Sequence, residues 1–534
     1  MIQPTPQQQA AIDAKGNVVV TARPGSGKTF TLARMIARDS SDLLSYQGVI
    51  AISYTNKASD ELKERCDRLG VERGRSFFGT IDSFCLGQIV APFLPHATRS
   101  VKDIAVFEDE KSKEWLCLKG RSVDDPEIRQ FLQESFESGR LPIGALGPAA
   151  LLILETVSQA RAFVKARYTS IFIDEYQDCG LYQHMLMKLL VSYGLRGVAV
   201  GDVDQAIFQF AGKSPEHLRE LMTSSDFRHF QITENHRCDK AIQSYSLALL
   251  GVHVDSIRAE DRRVFAVHMD GDETALSRGI RERLPSIMRK YSVEQRCNVA
   301  LLVSSNHALD LYGTAIGIPH KLYRRTPLDD GFSKWNRIFS DLLMSYFDPT
   351  RYSGQFVDRH FEGSAKSAKR SRCIALVDEL FSLPEEGLAK NVGLAIDIAT
   401  LCAPGAERLE DIDAYRMIVE DLTLLRDGFR PAKADEVNIL TYHKAKGLEF
   451  DIVFCLETYR FVMPIYKWEE KGGRSVYDQA LAVHYVGITR ARKACYVMLG
   501  TKRHNGRGML MDAFPSEFLD MNGLRDLRND PTWR

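Results

Sequence analysis

Short apolar runs ending in a small or acidic residue recur along the chain, at 18–22, 49–53, 171–174 and 198–201. Each has the length of a buried parallel strand. Helical spacing follows several of them, as at 29–38, where Leu32, Met35 and Ile36 share a face, and at 57–69. Strands alternating with helices read as βαβ units and a parallel sheet. Between 86 and 165 the strand pattern gives way to helical, charge-rich sequence. A second α/β stretch begins near 230, with a clear strand at 299–304, and from about 325 to 430 the pattern is helical again. That helical stretch carries a basic run, GSAKSAKRSR at 363–372, which reads as a solvated loop. Strands return at 437–442, 451–456 and 494–499. The pattern predicts an α/β protein with two parallel-sheet cores, each interrupted by a mainly helical insertion. The first core takes 1–85 and 166–230 around an insert at 86–165; the second takes 231–320 and 435–534 around a smaller insert at 321–434.

Composition changes this picture little. The 534 residues exceed what one core organises. Acidic and basic residues balance at 70 each, so the charge gives no global footprint for a polyanion, which leaves room for a protein with one basic channel. The 10 cysteines contain no C-x-x-C pair, and the 13 histidines show no ligand spacing. The expectation is a reduced compartment and no metal beyond one carried by a nucleotide. The N-terminal sequence has no basic start followed by an apolar stretch, and no run approaches the roughly 18 apolar residues that span a bilayer. A cytoplasmic protein without a membrane partner is expected.

Chemistry enters with NVVVTARPGSGKTFTLARMIAR at 17–38, a strand, a glycine-rich turn and a helix start. Gly25 and Gly27 allow positive φ and close backbone approach, so successive N–H groups around Ser26 can wrap a phosphate at the helix N-terminus. Lys28 would reach the β- and γ-phosphates of ATP, and the Thr29 hydroxyl would ligate Mg²⁺. Ala22 stands where such loops usually begin with glycine. The loop alone says only NTPase. SIFIDEYQD then places Asp174 and Glu175 at the end of an apolar strand: one carboxylate to hold Mg²⁺, the next to orient and deprotonate the attacking water.

From here the ordered motifs resemble the UvrD/Rep family of superfamily 1 helicases, over Gln8 to about Arg492. The resemblance implies two RecA-like domains of the P-loop NTPase type. It gives Gln8 in PQQQAAI the reading of adenine. In AISYTNKASDELKER (51–65) it gives Thr55 and Asn56 contacts to DNA phosphate, with Tyr54 stacking on a base. GTIDSFC (79–85) resembles a second DNA-contacting motif through Thr80, with Asp82 where the family usually has histidine. In VGDVDQAIFQFAG (200–212), Gln205 sits where the family links the γ-phosphate to the DNA site. Phe208 and Phe210 occupy base-stacking positions, and Ala211 replaces an arginine. ITENHRC (232–238) supplies Arg237 for the γ-phosphate and His236 in place of an adenine-stacking tyrosine. ILTYHKAKGLEFDIVF (439–454) supplies Glu449 for the ribose, with Tyr442, His443 and Lys446 on the DNA side. YVGITRARK (485–493) supplies Arg490 as an arginine finger, although DQALAVHY precedes it in place of the family's charged stretch.

The resemblance implies a DNA-stimulated ATPase moving along single-stranded or tailed DNA, 3′ to 5′. Lys28, Thr29, Asp174 and Glu175 from the first core and Arg490 from the second would act on one ATP. The motif-to-motif gaps are shorter than in full-sized members, so the accessory domains that engage duplex DNA are expected to be reduced. Little sequence follows Arg492, too little for a fused nuclease. Compact length and the FFGTIDSFC variant are similar to the helicase-like subunits of the Gabija anti-phage system, which partner an ATPase–nuclease subunit with a Toprim domain. Two other readings remain open: a nucleotide- or DNA-end sensor that licenses a partner nuclease, and a stand-alone repair helicase.

Overall fold

Every residue of the run 18–22 is buried, and the strand it forms, β1 (Val18–Ala22), sends Val18, Val20 and Ala22 to one side and Val19 to the other. That period-two division, apolar on both sides, belongs to a parallel strand covered on both faces. The computed structural model describes residues 3–72, 74–98, 104–107, 109–207, 213–331, 333–361, 368–465 and 473–534. The chain divides into two units, Met1–Cys238 with Arg474–Ala482, and Asp239–Gly473 with Val483–Arg534.

In the first unit the strands are β1, β2 (Gly48–Ile52), β3 (Phe77–Gly79), a separate parallel pair β4 (Ala105–Phe107) and β5 (Arg140–Pro142), then β6 (Tyr168–Ile173), β7 (Arg196–Gly201) and β8 (Arg228–Ile232). The main sheet has the order β3-β2-β6-β7-β1-β8 with every pairing parallel. The helix Lys28–Ser40 lies on one face and buries Thr31, Leu32, Ala33, Met35 and Ile36. Full burial of each large aliphatic there contributes about 1.5–3 kcal/mol. A helical layer covers the other face, with Ile128, Leu132, Leu151 and Ile153 joining Ile50, Ile171 and Ala199 in one core.

The second unit repeats the plan with β9 (Val264–His268), β10 (Val299–Val303), β11 (His320–Leu322), β12 (Val437–Thr441), β13 (Phe450–Cys455) and β14 (Ala491–Leu499), in the parallel order β11-β12-β10-β13-β14-β9. An antiparallel hairpin, β15 (Lys502–His504) with β16 (Leu510–Asp512), follows. The helical stretch between β11 and β12 has its own core around Trp335, Phe339, Val377, Ile398 and Tyr415. Near the C-terminus, residues from Asn529 onward run along β9: Ala266 donates to Asn529 O at 2.8 Å, His268 to Pro531 O at 2.9 Å, and Trp533 donates back to His268 O at 2.8 Å. Among the described residues no single helix is long and apolar enough to cross a membrane.

Each apolar run singled out in the sequence is a strand, displaced by at most three residues at either end. Strands β3, β8, β9 and β11 carried no such signal; β3 and β11 have three residues each, and β8 is mostly exposed. The basic run corrects one expectation. Residues 368–372 are not a loop but open the helix Ala368–Ser382, where Arg370 pairs with Asp358 at 2.5 Å; Lys366 lies outside the described residues.

Candidate functional site

The loop after β1 takes its shape from two glycines. Gly25 has φ of 73° and Gly27 of 81°, a left-handed conformation that side chains rarely adopt. There is also no room for a side chain. A Cβ on Gly25 would lie 2.5 Å from Arg237 Cβ and 2.6 Å from Asn235 Oδ1, and one on Gly27 would lie 2.7 Å from Gln8 Nε2. The loop is therefore clasped between the first helix and the segment after β8, where His236 N donates to Gly25 O at 2.9 Å. Ser26 is buried, its hydroxyl donating to Arg23 O at 2.7 Å. Lys28 opens the following helix beside Thr29, and its ammonium donates to Ala22 O at 3.2 Å.

Gln8 is 3% exposed and held on two sides. Its Oε1 accepts from Thr5 N at 2.9 Å, completing a capping box, and its Nε2 donates to Ser26 O at 2.9 Å. In this arrangement its amide positions the phosphate loop.

The carboxylates come from the end of β6. Asp174 N donates to Ile52 O at 2.9 Å, so the sheet ladder fixes its backbone. Its carboxyl is pushed up to about 7, first by burial and then by the Glu175 charge, while Lys28 pulls it down. Glu175 has φ of 51°, a left-handed position that costs a non-glycine residue of order 1–3 kcal/mol and is kept only where neighbours enforce it. The neighbours here form a chain of hydrogen bonds. Gln177 Nε2 donates to Glu175 Oε2 at 2.5 Å, and Asp202 N donates to Gln177 Oε1 at 2.9 Å. Gln205 Nε2 donates to Asp202 Oδ2 at 2.6 Å, and the same oxygen lies 3.9 Å from Lys28 Nζ. Gln177, Asp202 and Gln205 are all buried. Gly201 makes the junction possible, because a Cβ there would stand 2.6 Å from Gln177 Oε1. Gln177 and Asp202 were missed from the sequence although both lie inside the quoted motifs. Only their position between Glu175 and Gln205 marks them.

Lys28 thus faces Asp202 and acts on Asp174, which Glu175 also raises, and Asp204 nearby is pushed up to about 6 by burial and by Asp202 against the pull of Arg23. Such a set is short of positive charge and fits a divalent cation, while the glycine cradle and the free N–H groups of the helix start fit a phosphate chain.

Residues expected on the nucleic-acid side are placed less uniformly. Tyr54 is half-buried, its phenol pushed up to about 12 by burial, Asp178 and Asp82, with the Lys213 ammonium 5.8 Å from its ring centroid. Thr55 is exposed and caps the helix Asn56–Arg68, accepting from Ala58 N at 3.2 Å; the Asn56 side chain lies outside what the structure describes. Thr80 likewise caps a short helix, with its hydroxyl 2.8 Å from Ser83 Oγ. Phe208, Phe210 and Ala211 lie outside the described residues.

In the second unit His443 and Lys446 sit half-buried in the turn after β12. Tyr442 is a correction: it is fully buried, donates to Leu456 O at 2.9 Å and walls off Gly487, so its ring is core and does not face DNA. Glu449 is 43% exposed and 3.5 Å from Arg492. Arg490 is 1% exposed, donating to Val486 O at 3.0 Å, Leu448 O at 3.3 Å and Thr489 Oγ1 at 3.2 Å. The first unit therefore brings Gln8, Ala22, Gly25, Ser26, Gly27, Lys28, Thr29, Asp174, Glu175, Gln205 and Arg237 around one loop, and the second unit carries Glu449 and Arg490.

Two parallel-sheet cores, one with a phosphate loop and paired carboxylates, define a helicase-type P-loop ATPase, and the family comparisons agree. Residues 7–211 match the AAA domain, and residues 360–502 match the UvrD-like helicase C-terminal domain. The chain belongs to the UvrD-like helicases of superfamily 1. It is 26% identical over 498 residues to the Gabija protein GajB of Bacillus cereus strain VD045, covering 92% of this chain and 94% of that protein. It is also 21% identical over 630 residues to a probable DNA helicase II homolog of Rickettsia conorii, covering 96% of this chain and 94% of that one. Against the ATP-dependent DNA helicase PcrA of Staphylococcus aureus strain MRSA252 it is 23% identical over 634 residues, covering 96% and 85%. Alignments longer than the 534-residue chain itself mean that gaps open in this sequence, in keeping with its compact inserts.

Proposed function

We propose that this chain is a DNA-stimulated ATPase that moves 3′ to 5′ along single-stranded DNA. We propose further that it serves in the cytoplasm as the helicase-like subunit of an anti-phage complex with an ATPase–nuclease (Toprim) partner. The observation that carries the motor reading is the hydrogen-bonded chain from half-buried Glu175 through buried Gln177, Asp202 and Gln205. It couples the water-activating carboxylate to the segment leading into Phe208 and Phe210, so that occupancy on one side is felt on the other. Similarity to a protein named for the Gabija system supports the defence role.

On this reading 1–85 with 166–230 and 231–320 with 435–534 are the two RecA-like domains, and 86–165 and 321–434 are their inserts. Lys28 holds the β- and γ-phosphates, Thr29 and Asp174 hold Mg²⁺, and Glu175 orients the attacking water. Bound Mg²⁺ supplies charge neutralisation to the phosphates. Gln8 and Glu449 address base and ribose, while Gln205, Arg237 and Arg490 address the γ-phosphate. For Arg490 this requires leaving the carbonyls of Val486 and Leu448. Tyr54, Thr55, Asn56, Thr80, Phe208, Phe210, His443 and Lys446 contact the strand.

One feature favours a second reading, a sensor with weak turnover that licenses the nuclease. Asp82 and Asp178 both act on Tyr54, and carboxylates beside a DNA phosphate weaken the grip. Steady-state ATP hydrolysis with and without single-stranded DNA separates the two. Strong stimulation, followed by displacement on 3′-tailed but not 5′-tailed duplexes, supports the motor. ATP binding with little turnover in either condition supports the sensor.

A further inference from the structure

Two helices of the first unit, Leu181–Ser192 and Glu216–Thr223, set His184, His217 and Glu220 so that one ligand atom from each lies within 4.8 Å of the others. His217 and Glu220 are one turn apart on the same helix and therefore share a face. The imidazoles of His184 and His217 stack with centroids 4.6 Å apart and planes 16° apart. His184 is 4% exposed; its Nδ1 is 2.9 Å from the Tyr176 hydroxyl, which orients the ring and leaves Nε2 turned to the cluster, 3.0 Å from Glu220 Oε2. His217, half-buried, makes no hydrogen bond among the described residues.

We propose that His184, His217 and Glu220 bind one divalent transition metal of the Zn²⁺ class, with a fourth position open to water. Nitrogen and oxygen donors of this kind suit Zn²⁺, Co²⁺ or Ni²⁺ rather than Mg²⁺ or Ca²⁺. Bonds of about 2.0–2.2 Å place tetrahedral ligand atoms about 3.4 Å apart, with the ion in the plane of each imidazole, so His217 must rotate out of its stack on His184, and Glu220 with it, to close the site. A buried histidine whose other nitrogen is held by a hydroxyl has the support that metal-bound imidazoles usually receive. Burial also lowers both imidazoles from their ordinary value, favouring the neutral, ligating form, while the Lys188 ammonium lowers the Glu220 carboxyl. Lys188 opposes the ion: its ammonium sits 2.7 Å from Glu220 Oε1. His184 lies 33 residues before His217, which is why spacing along the chain gave no sign of the full set. The site is distinct from the nucleotide loop, although Tyr176 follows Glu175 directly.

The test is a Co²⁺ titration of the full chain without nucleotide or Mg²⁺, read by visible absorption, with Zn²⁺ as displacer and thermal unfolding in parallel. The expected result is one equivalent bound at micromolar concentration, a tetrahedral Co²⁺ spectrum and a rise of several degrees in Tm. His217→Ala and Glu220→Gln should each weaken binding at least tenfold while leaving metal-free Tm nearly unchanged. Lys188→Met should tighten it several-fold. Absence of a tetrahedral spectrum in the unaltered protein overturns the proposal. So does equal uptake by both ligand variants, which would assign the metal to Asp174 or to a cysteine.

Discussion

Replacing Gln177 by methionine keeps the volume of a fully buried side chain and removes all of its hydrogen bonding. Two losses follow. Glu175 loses the donor at 2.5 Å that holds its carboxylate, a charge-assisted bond contributing about 1.5–3 kcal/mol. The Asp202 N–H, which donates to Gln177 Oε1 at 2.9 Å, is left buried without a partner, at a further cost of about 1–3 kcal/mol. Together the first unit should lose roughly 3–5 kcal/mol, lowering its unfolding temperature by on the order of 10 °C. The catalytic effect is separable from this. Lys28 and the phosphate loop are untouched, so KM for ATP should stay within about threefold. The loss of this donor to the Glu175 carboxylate should lower kcat by about 10²-fold, the usual consequence of misplacing a reacting group by an ångström. Steady-state turnover on single-stranded DNA, with the Kd of a non-hydrolysable ATP analogue, measures both at a temperature where circular dichroism shows the variant folded. Gln177→Glu sharpens the result. The introduced acid can donate to Glu175 only when protonated, so its turnover should recover as pH falls. Turnover by a folded Gln177→Met within twofold of the parent would refute the idea that this glutamine positions Glu175.

Three further outcomes are expected. Lys28→Ala should abolish turnover, whereas Glu175→Gln should bind ATP and hydrolyse it at least 10²-fold more slowly, as rapid-quench assays of product would show. Gly25→Ala puts a methyl 2.5 Å from Arg237 Cβ at a φ of 73°, so it should weaken nucleotide affinity more than tenfold by equilibrium titration, with Gly16→Ala, where nothing lies within 4 Å, as the control for backbone strain alone. The nucleotide-free protein should lose stability as pH rises from about 4 through 7. Asp174, at about 7 when folded, holds a proton that the unfolded carboxyl has already released. Asp174→Asn should flatten that part of the Tm–pH curve; a parent no more stable at pH 5.5 than at 7.5, relative to the variant, would contradict the shift.

What the chain revealed about itself depended on how local the cause was. Strands covered on both faces, such as Val18–Ala22 and Val299–Val303, are continuous apolar runs because nothing in them faces water. Edge strand β8 carries Arg228, His229 and Gln231 on exposed positions and has no such run. The phosphate loop was legible because its glycines answer a backbone requirement within a few residues. The clasp by Asn235 was not, since it joins segments more than two hundred residues apart. The family resemblance placed Tyr442 on the DNA side with His443 and Lys446, and the packing of Gly487 against its ring, invisible in one dimension, turned it inward.

The residues from Asn529 onward have a practical bearing of their own. By exchanging backbone hydrogen bonds with Ala266 and His268 they occupy the open margin of the second sheet. Deleting 529–534 would bare a row of unsatisfied amides and carbonyls on an apolar strand, an invitation to strand-to-strand association between copies. Aggregation of such a shortened protein, even with its ATP-binding loop intact, would therefore reflect the loss of this seal. An affinity tag belongs where it does not pull the seal away.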